Sequence, residues 1–164
     1  MRRKYFFFDY DGTLAVPRTR EIPQSTQETL ARLRDEGHFI ALATGRLQIN
    51  AVDFISSMGI DNLVADGGNS VTIAGDLKWM EPLDLKPVQE CLRILDTHHI
   101  PWAVTTANEL VRYSPRQDFA EIAGDYYVPT QYDPTLTIDS LSTVYKAYIP
   151  CKLEDEHKVV ETGA

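Results

Sequence analysis

Over the first eighty positions, short apolar runs alternate with helical stripes. Residues 5–8 form a continuous apolar run, Tyr5-Phe6-Phe7-Phe8, ending at acidic residues and a glycine, which is the pattern of a buried strand. Ser25-Thr26-Gln27-Glu28 has the Ser-x-x-Glu spacing of a capping box. Leu30 and Leu33 follow on one helical face, and Gly37 stands where the helix would stop. Residues 38–43 read as a second apolar strand, closed by Thr44-Gly45-Arg46. An amphipathic helix is predicted over 47–58, ended by Gly59, and a third strand over 60–65. Strand, helix, strand, helix, strand predicts a parallel sheet with right-handed crossovers. Such sheets bind ligands at the C-terminal edge. That edge carries Asp9-Tyr10-Asp11-Gly12-Thr13, Thr44-Gly45-Arg46 and Asp66-Gly67-Gly68-Asn69.

Beyond Asn69 the pattern changes. Residues 70–73 and 77–80 are expected to pair as a hairpin across Ala74-Gly75-Asp76. Val88, Leu92 and Leu95 recur at helical spacing and predict a helix over 86–98. Strands are expected over 101–106 and 109–113 around a turn at Ala107-Asn108, then a short helix over 119–123 and a strand over 143–149. These elements read as an α+β module starting near residue 82. A helix would open over 153–160 with four residues left, and three strands with two helices are too few to cover both faces of an α/β sheet. The expectation is an incomplete protein.

Sixteen Lys and Arg against 24 Asp and Glu, a net charge of −8 in 164 residues, oppose non-specific binding to nucleic acid or an anionic membrane. Hydrophobic residues at 43% and charged residues at 24% match a packed globular protein. No apolar run approaches the roughly 20 residues that span a bilayer. Four apolar residues after Met1-Arg2-Arg3-Lys4 fall short of the about 7–15 of a secretory signal. Cys91 and Cys151, without CxxC spacing, are expected as two free thiols in a reducing cytoplasm.

Asp9 and Asp11, two apart at a strand end, can converge on one site. Divergent environments would keep one ionised, able to attack phosphorus, while the other holds a proton for the leaving oxygen. Gly12 allows the sharp turn that follows. The spacing alone is read equally well as a strand-ending acidic turn, since Asp-Gly is common in turns.

Asp9-Tyr10-Asp11-Gly12-Thr13-Leu14 resembles the first motif, DxDGTL, of the haloacid dehalogenase-like phosphohydrolases. Thr44-Gly45-Arg46 is similar to their second motif in its TGR form. Val64-Ala65-Asp66-Gly67-Gly68-Asn69 resembles the segment where Cof-type sugar phosphatases often carry an Asn-Gly turn. The resemblance implies an α/β fold: a partial Rossmann-like parallel sheet over 1–81, the haloacid dehalogenase-like core, with an inserted α+β cap over 82–164. It implies Asp9 as nucleophile and Mg²⁺ ligand, and Asp11 as general acid/base with its backbone carbonyl on the metal. Thr44, Gly45 and Gly12 would surround the phosphoryl group. Arg46 and Asn69 would orient substrate, although Arg46 is read equally as pairing with a carboxylate on the helix that follows. Amides and a cation around the equatorial oxygens suit phosphoryl transfer, and Mg²⁺ favours few oxygen ligands.

The resemblance also implies a lysine after the cap and a GDxxND-like acidic loop. Lys146, Lys152 and Lys158 do not match the first, and Asp125 has Gly124 before it but no following Asn-Asp. The chain therefore reads as the nucleophile half of a site, with weak metal affinity and little or no turnover expected alone. His98-His99, Glu154-Asp155-Glu156, Trp79, Trp102, Tyr126-Tyr127 and Tyr132 are read as solvated or packing residues. The implied function is Mg²⁺-dependent hydrolysis of small phosphorylated metabolites in the cytoplasm, with no nucleic-acid or membrane partner. Self-association, or a partner completing the core, is the remaining expectation. The alternative is a non-catalytic binding or regulatory module with a half-formed phosphate and metal site.

Overall fold

Three parallel strands and two helices build the N-terminal unit of the computed structural model, which describes residues 2–17, 19, 21–124 and 128–150. The chain divides into Met1–Glu81 and Pro82–Ala164. In the first unit β1 (Tyr5–Phe8), β2 (Phe39–Ala43) and β3 (Leu63–Ala65) alternate with α1 (Gln24–Asp35) and α2 (Gln48–Ser57). β1 pairs parallel with β2 in register Tyr5 to Phe39, and β2 parallel with β3. β4 (Ser70–Ile73) and β5 (Asp76–Met80) add an antiparallel hairpin, giving the order β1-β2-β3-β4-β5.

Ile40, Leu42 and Leu63 form one core with Leu30 of α1 and with Ala51 and Ile55 of α2. Each large aliphatic side chain fully buried there contributes roughly 1.5–3 kcal/mol. The opposite face of β1 is open. Tyr5 is 64% and Phe7 57% exposed, which corrects the expectation of a buried strand. Among the described residues β1 is the edge of the sheet, and its alternate side chains, which meet Phe39 at ring distances of 5.4 and 6.0 Å, lie on the face away from the core cluster.

The capping box at Ser25 does not form. α1 starts two residues earlier than that cap implies, at Gln24 after Pro23, and Pro23 (φ −56°, ψ 145°) sets the approach of the chain. Ser25 lies inside the first turn, and Glu28 accepts from Gln24 Nε2 at 2.7 Å instead. The stop at Gly37 does form: its φ of +78° suits glycine, its N–H donates to Arg34 O, and His38 N–H donates to Leu33 O.

The second unit has a four-stranded sheet in the order β8-β7-β6-β9, from β6 (Ala103–Thr105), β7 (Arg112–Ser114), β8 (Thr130–Tyr132) and β9 (Lys146–Tyr148). α3 (Leu85–Thr97) is capped by Asp84, whose carboxylate accepts from Lys86 N. Its Leu92 and Leu95 join Trp102, Val104 and Val144 in a second core. The Trp102 indole N–H reaches Asp96 at 2.7 Å, so the ring is buried without an orphaned donor.

Here the sequence reading missed β8 and the 3-10 turn at Ile138–Ser140, and it put β7 three residues early at its N-terminal end. Short α4 (Asp118–Ala123) lies within one residue of its predicted place. Trp79, expected to pack, is 44% exposed on edge strand β5, while His98, His99 and half-exposed Tyr132 are solvated as read. Cys91 is a free thiol. The readings on Cys151, Asp125, Tyr126-Tyr127, Lys152, Lys158 and 153–160 lie outside the described residues. Among the described residues no helix is long and apolar enough to cross a membrane.

Candidate active site

Burial alternates after β1, and that alternation places the two carboxylates. Tyr10 is buried, whereas Asp9 and Asp11 on either side of it are exposed. The chain then folds back tightly, with Leu14 and Ala15 N–H donating to Tyr10 O and Gly12 N–H donating to Ala15 O at 3.0 Å. Gly12 has φ +82°, a left-handed conformation that glycine adopts without a Cβ clash. Buried Leu14 and Ala15 anchor the far side of this loop.

After β2, Thr44 and Arg46 are buried and Gly45 is exposed. The Arg46 guanidinium stacks against the rings of Tyr10 (5.1 Å) and Phe54 (5.5 Å) and forks onto Asp11. Nη2 lies 2.8 Å from Oδ1, and Nε lies 3.1 Å from Oδ2. The first-motif carboxylate is thus a partner of Arg46. This bidentate, charge-assisted pair ties the loop after β1 to the turn after β2. Arg46 N–H donates to Thr44 Oγ1 at 3.2 Å, which leaves the hydroxyl proton available as a donor. Gly45 does not need glycine for its backbone angles, but a Cβ there would enter open space.

After β3, Asp66 is buried, with φ +55°. Its Oδ2 accepts from Gln48 N at the start of α2 (3.1 Å) and from Ser70 Oγ (2.7 Å). Oδ1 is buried without a partner. The sequence reading named Asn69 here; Asn69 is partly buried, and its carbonyl accepts from Glu81 N–H in the hairpin. Asp66 was missed, although one signal was available. It is the first residue after its strand, as Asp9 is after β1 and Thr44 after β2.

A cleft of about 280 Å³ beside Thr13 and Leu14 is floored by Phe8 and Leu30 and includes none of the predicted site residues. Oxygen donors suited to Mg²⁺ are present. Among the described residues the exposed Asp9 carboxylate accepts no hydrogen bond, and no cluster of three or more His, Cys, Asp or Glu side chains occurs. One open carboxylate fits a cation that keeps several waters and borrows oxygens from a phosphate.

The profile of the haloacid dehalogenase-like hydrolases matches residues 6–162. The chain belongs to that family. It is 29% identical over 96 residues to YkrA of Bacillus subtilis (strain 168), a protein provisionally named a phosphatase, covering 58% of this chain and 37% of YkrA. It is 28% identical over 103 residues to the pyridoxal phosphate phosphatase YbhA of Escherichia coli (strain K12), covering 61% and 38%. The fold matches that of BT4131, a subclass IIB sugar phosphatase of the superfamily, with a TM-score of 0.71 at 20% identity over 98% of this chain and 63% of that one. The match thus spans a little over a third of the length of YkrA and of YbhA.

Proposed function

We propose that this chain carries the nucleophile and phosphate-binding part of a Mg²⁺-dependent phosphatase for small phosphorylated metabolites, sugar phosphates among them. The observation that carries the reading is the Arg46–Asp11 pair, which brings the DxDGTL loop and the TGR turn together at one sheet edge. A sugar phosphatase and a pyridoxal phosphate phosphatase among the similar proteins support the substrate class.

In this reading an Asp9 carboxylate oxygen attacks phosphorus. The bond to the ester oxygen breaks, its electron pair stays on that oxygen, and Asp11, which must leave the Arg46 fork and take up a proton to act as the acid, supplies that proton. Water then attacks the aspartyl-phosphate, Asp11 takes the proton back, and Asp9 is released with inorganic phosphate. Thr44 donates its hydroxyl to the phosphoryl oxygens, while Gly12 and Gly45 keep side-chain bulk away. Asp9 and the Asp11 carbonyl would hold Mg²⁺, which when bound neutralises phosphate charge. Arg46 orients Asp11, and Asn69 has the weaker claim to a substrate contact. The unit from Pro82 onward takes the role of the cap that selects substrate. Open edge strand β1, with exposed Tyr5 and Phe7, supports completion of the core by a partner or a second copy.

The test is Mg²⁺-dependent phosphate release from an aryl phosphate and a panel of sugar phosphates, with the chain assayed beside Asp9→Asn. Turnover that disappears in the variant is expected of this mechanism; equal turnover in both proteins would refute it. The absence of a three-ligand acidic cluster among the described residues favours one second reading, a phosphate-binding module without turnover. Phosphate binding with no release in either protein would select it.

A further inference from the structure

We propose that Asp66 is a positioning residue for the Thr44-Gly45-Arg46 turn; the proposal rests on the reading of that turn as a phosphate site. Three contacts converge on this one residue from the turn, the helix after it and the adjoining hairpin. Its N–H donates to Arg46 O at 2.8 Å, and its Oδ2 accepts from Gln48 N at 3.1 Å and Ser70 Oγ at 2.7 Å. The next residue, Gly67, donates its N–H to Thr44 O. The carbonyls of Thr44 and Arg46 and the first amide of α2 are therefore held from the end of β3. Leu47, the residue in the N-cap position, makes no side-chain cap, so Asp66 does that work from another strand.

Asp66 carries two costs for this role: a left-handed backbone on a residue with a Cβ, and a carboxylate oxygen buried without a partner. Such costs persist where the surroundings hold a conformation in place. What they hold here is the direction of the Thr44 hydroxyl and of the amides beside it. Without the acceptor at Oδ2, the start of α2 is released from β3 and the turn can rotate away from a bound phosphate.

The experiment titrates inorganic phosphate, with Mg²⁺ present, into the ¹⁵N-labelled 164-residue chain, following the Gly45 and Arg46 amide resonances. Thermal melts are recorded for every variant. Asp66→Ala is expected to weaken phosphate binding about ten-fold, the scale of lost supporting contacts at a site. Ser70→Ala, which removes one hydrogen bond to Oδ2, should weaken it about three-fold. Asp66→Asn keeps a carbonyl oxygen for Gln48 N–H and should bind within about two-fold of the parent, even where its melting temperature falls. A purely structural role would instead make affinity follow melting temperature across the series. If Asp66→Ala does not fold, Ser70→Ala and Asp66→Asn decide. Unchanged affinity in Ser70→Ala, or a ten-fold loss in Asp66→Asn, overturns the proposal. No phosphate response at Gly45 and Arg46 in the parent chain would remove the phosphate-site reading itself.

Discussion

Each unit buries an arginine, and the two arginines have different surroundings. Arg46 in the first unit and Arg112 in the second are 8% and 7% exposed, and both stack on two aromatic rings. Arg112 sits over Phe119 and Tyr148 and donates to Thr130 Oγ1 on β8 and to the Gly124 carbonyl at the end of α4. Arg46 sends its fork outward to Asp11, whose side chain is 58% exposed. Burial of a cation therefore does not by itself mark a functional site. The informative feature is a fork that reaches a solvent-exposed carboxylate beside a second motif.

Breaking both arginines tests that distinction most strongly. Arg112→Met leaves a backbone carbonyl and a hydroxyl without their donor in a packed region, so a loss of about 3 kcal/mol is expected in urea melts. Arg46→Met should cost only about 1 kcal/mol, because water replaces the guanidinium at the exposed carboxylate. Its main effect should fall on phosphate binding and turnover. Equal stability losses would erase the contrast.

Within the first unit, two glycines sharpen the same comparison. Gly12→Ala forces a Cβ into φ +82° and should destabilise by about 1–2 kcal/mol. Gly45→Ala has no such strain and open space around it, so melting should shift by no more than about 0.5 kcal/mol while phosphate titration weakens. The smallest effect is expected in the second unit, at Asp118. A hydrogen bond from Arg116, with Nε 3.0 Å from Oδ1, holds this carboxyl below its ordinary value against a partly opposing desolvation. A depressed folded value means stability that is present above the unfolded pKa of about 3.9 and lost as pH falls through the folded value. Asp118→Asn should thus be slightly less stable than the parent at pH 7, with the difference gone in acid melts.

Much of the first unit was legible because its signals are local and repeated. The runs at β1 and β2, the stripe of α2 and the stops at Gly37 and Gly59 each point to one element, and the DxDGTL and TGR motifs fall at the ends of β1 and β2. The second unit was harder. β8 is three residues, Thr130-Gln131-Tyr132, too short for any periodicity, and it exists through parallel pairing with β7. The capping box at Ser25 failed for a related reason: a local motif competed with the fixed φ of Pro23 and lost.

Within the site the division is equally physical. Residue order alone determined that two carboxylates stand two apart after the first apolar run and that a Thr-Gly-Arg turn follows the next strand, because strand alternation and turn chemistry act over a few neighbours. Only the tertiary structure decided that Arg46 meets Asp11 across 35 positions and that Asp66 caps a helix beginning 18 residues before it. It also decided that Tyr5 and Phe7 face outward. Those outcomes depend on which strands lie side by side, and pairing between distant segments is set by the packing of the whole sheet rather than by any local run of residues.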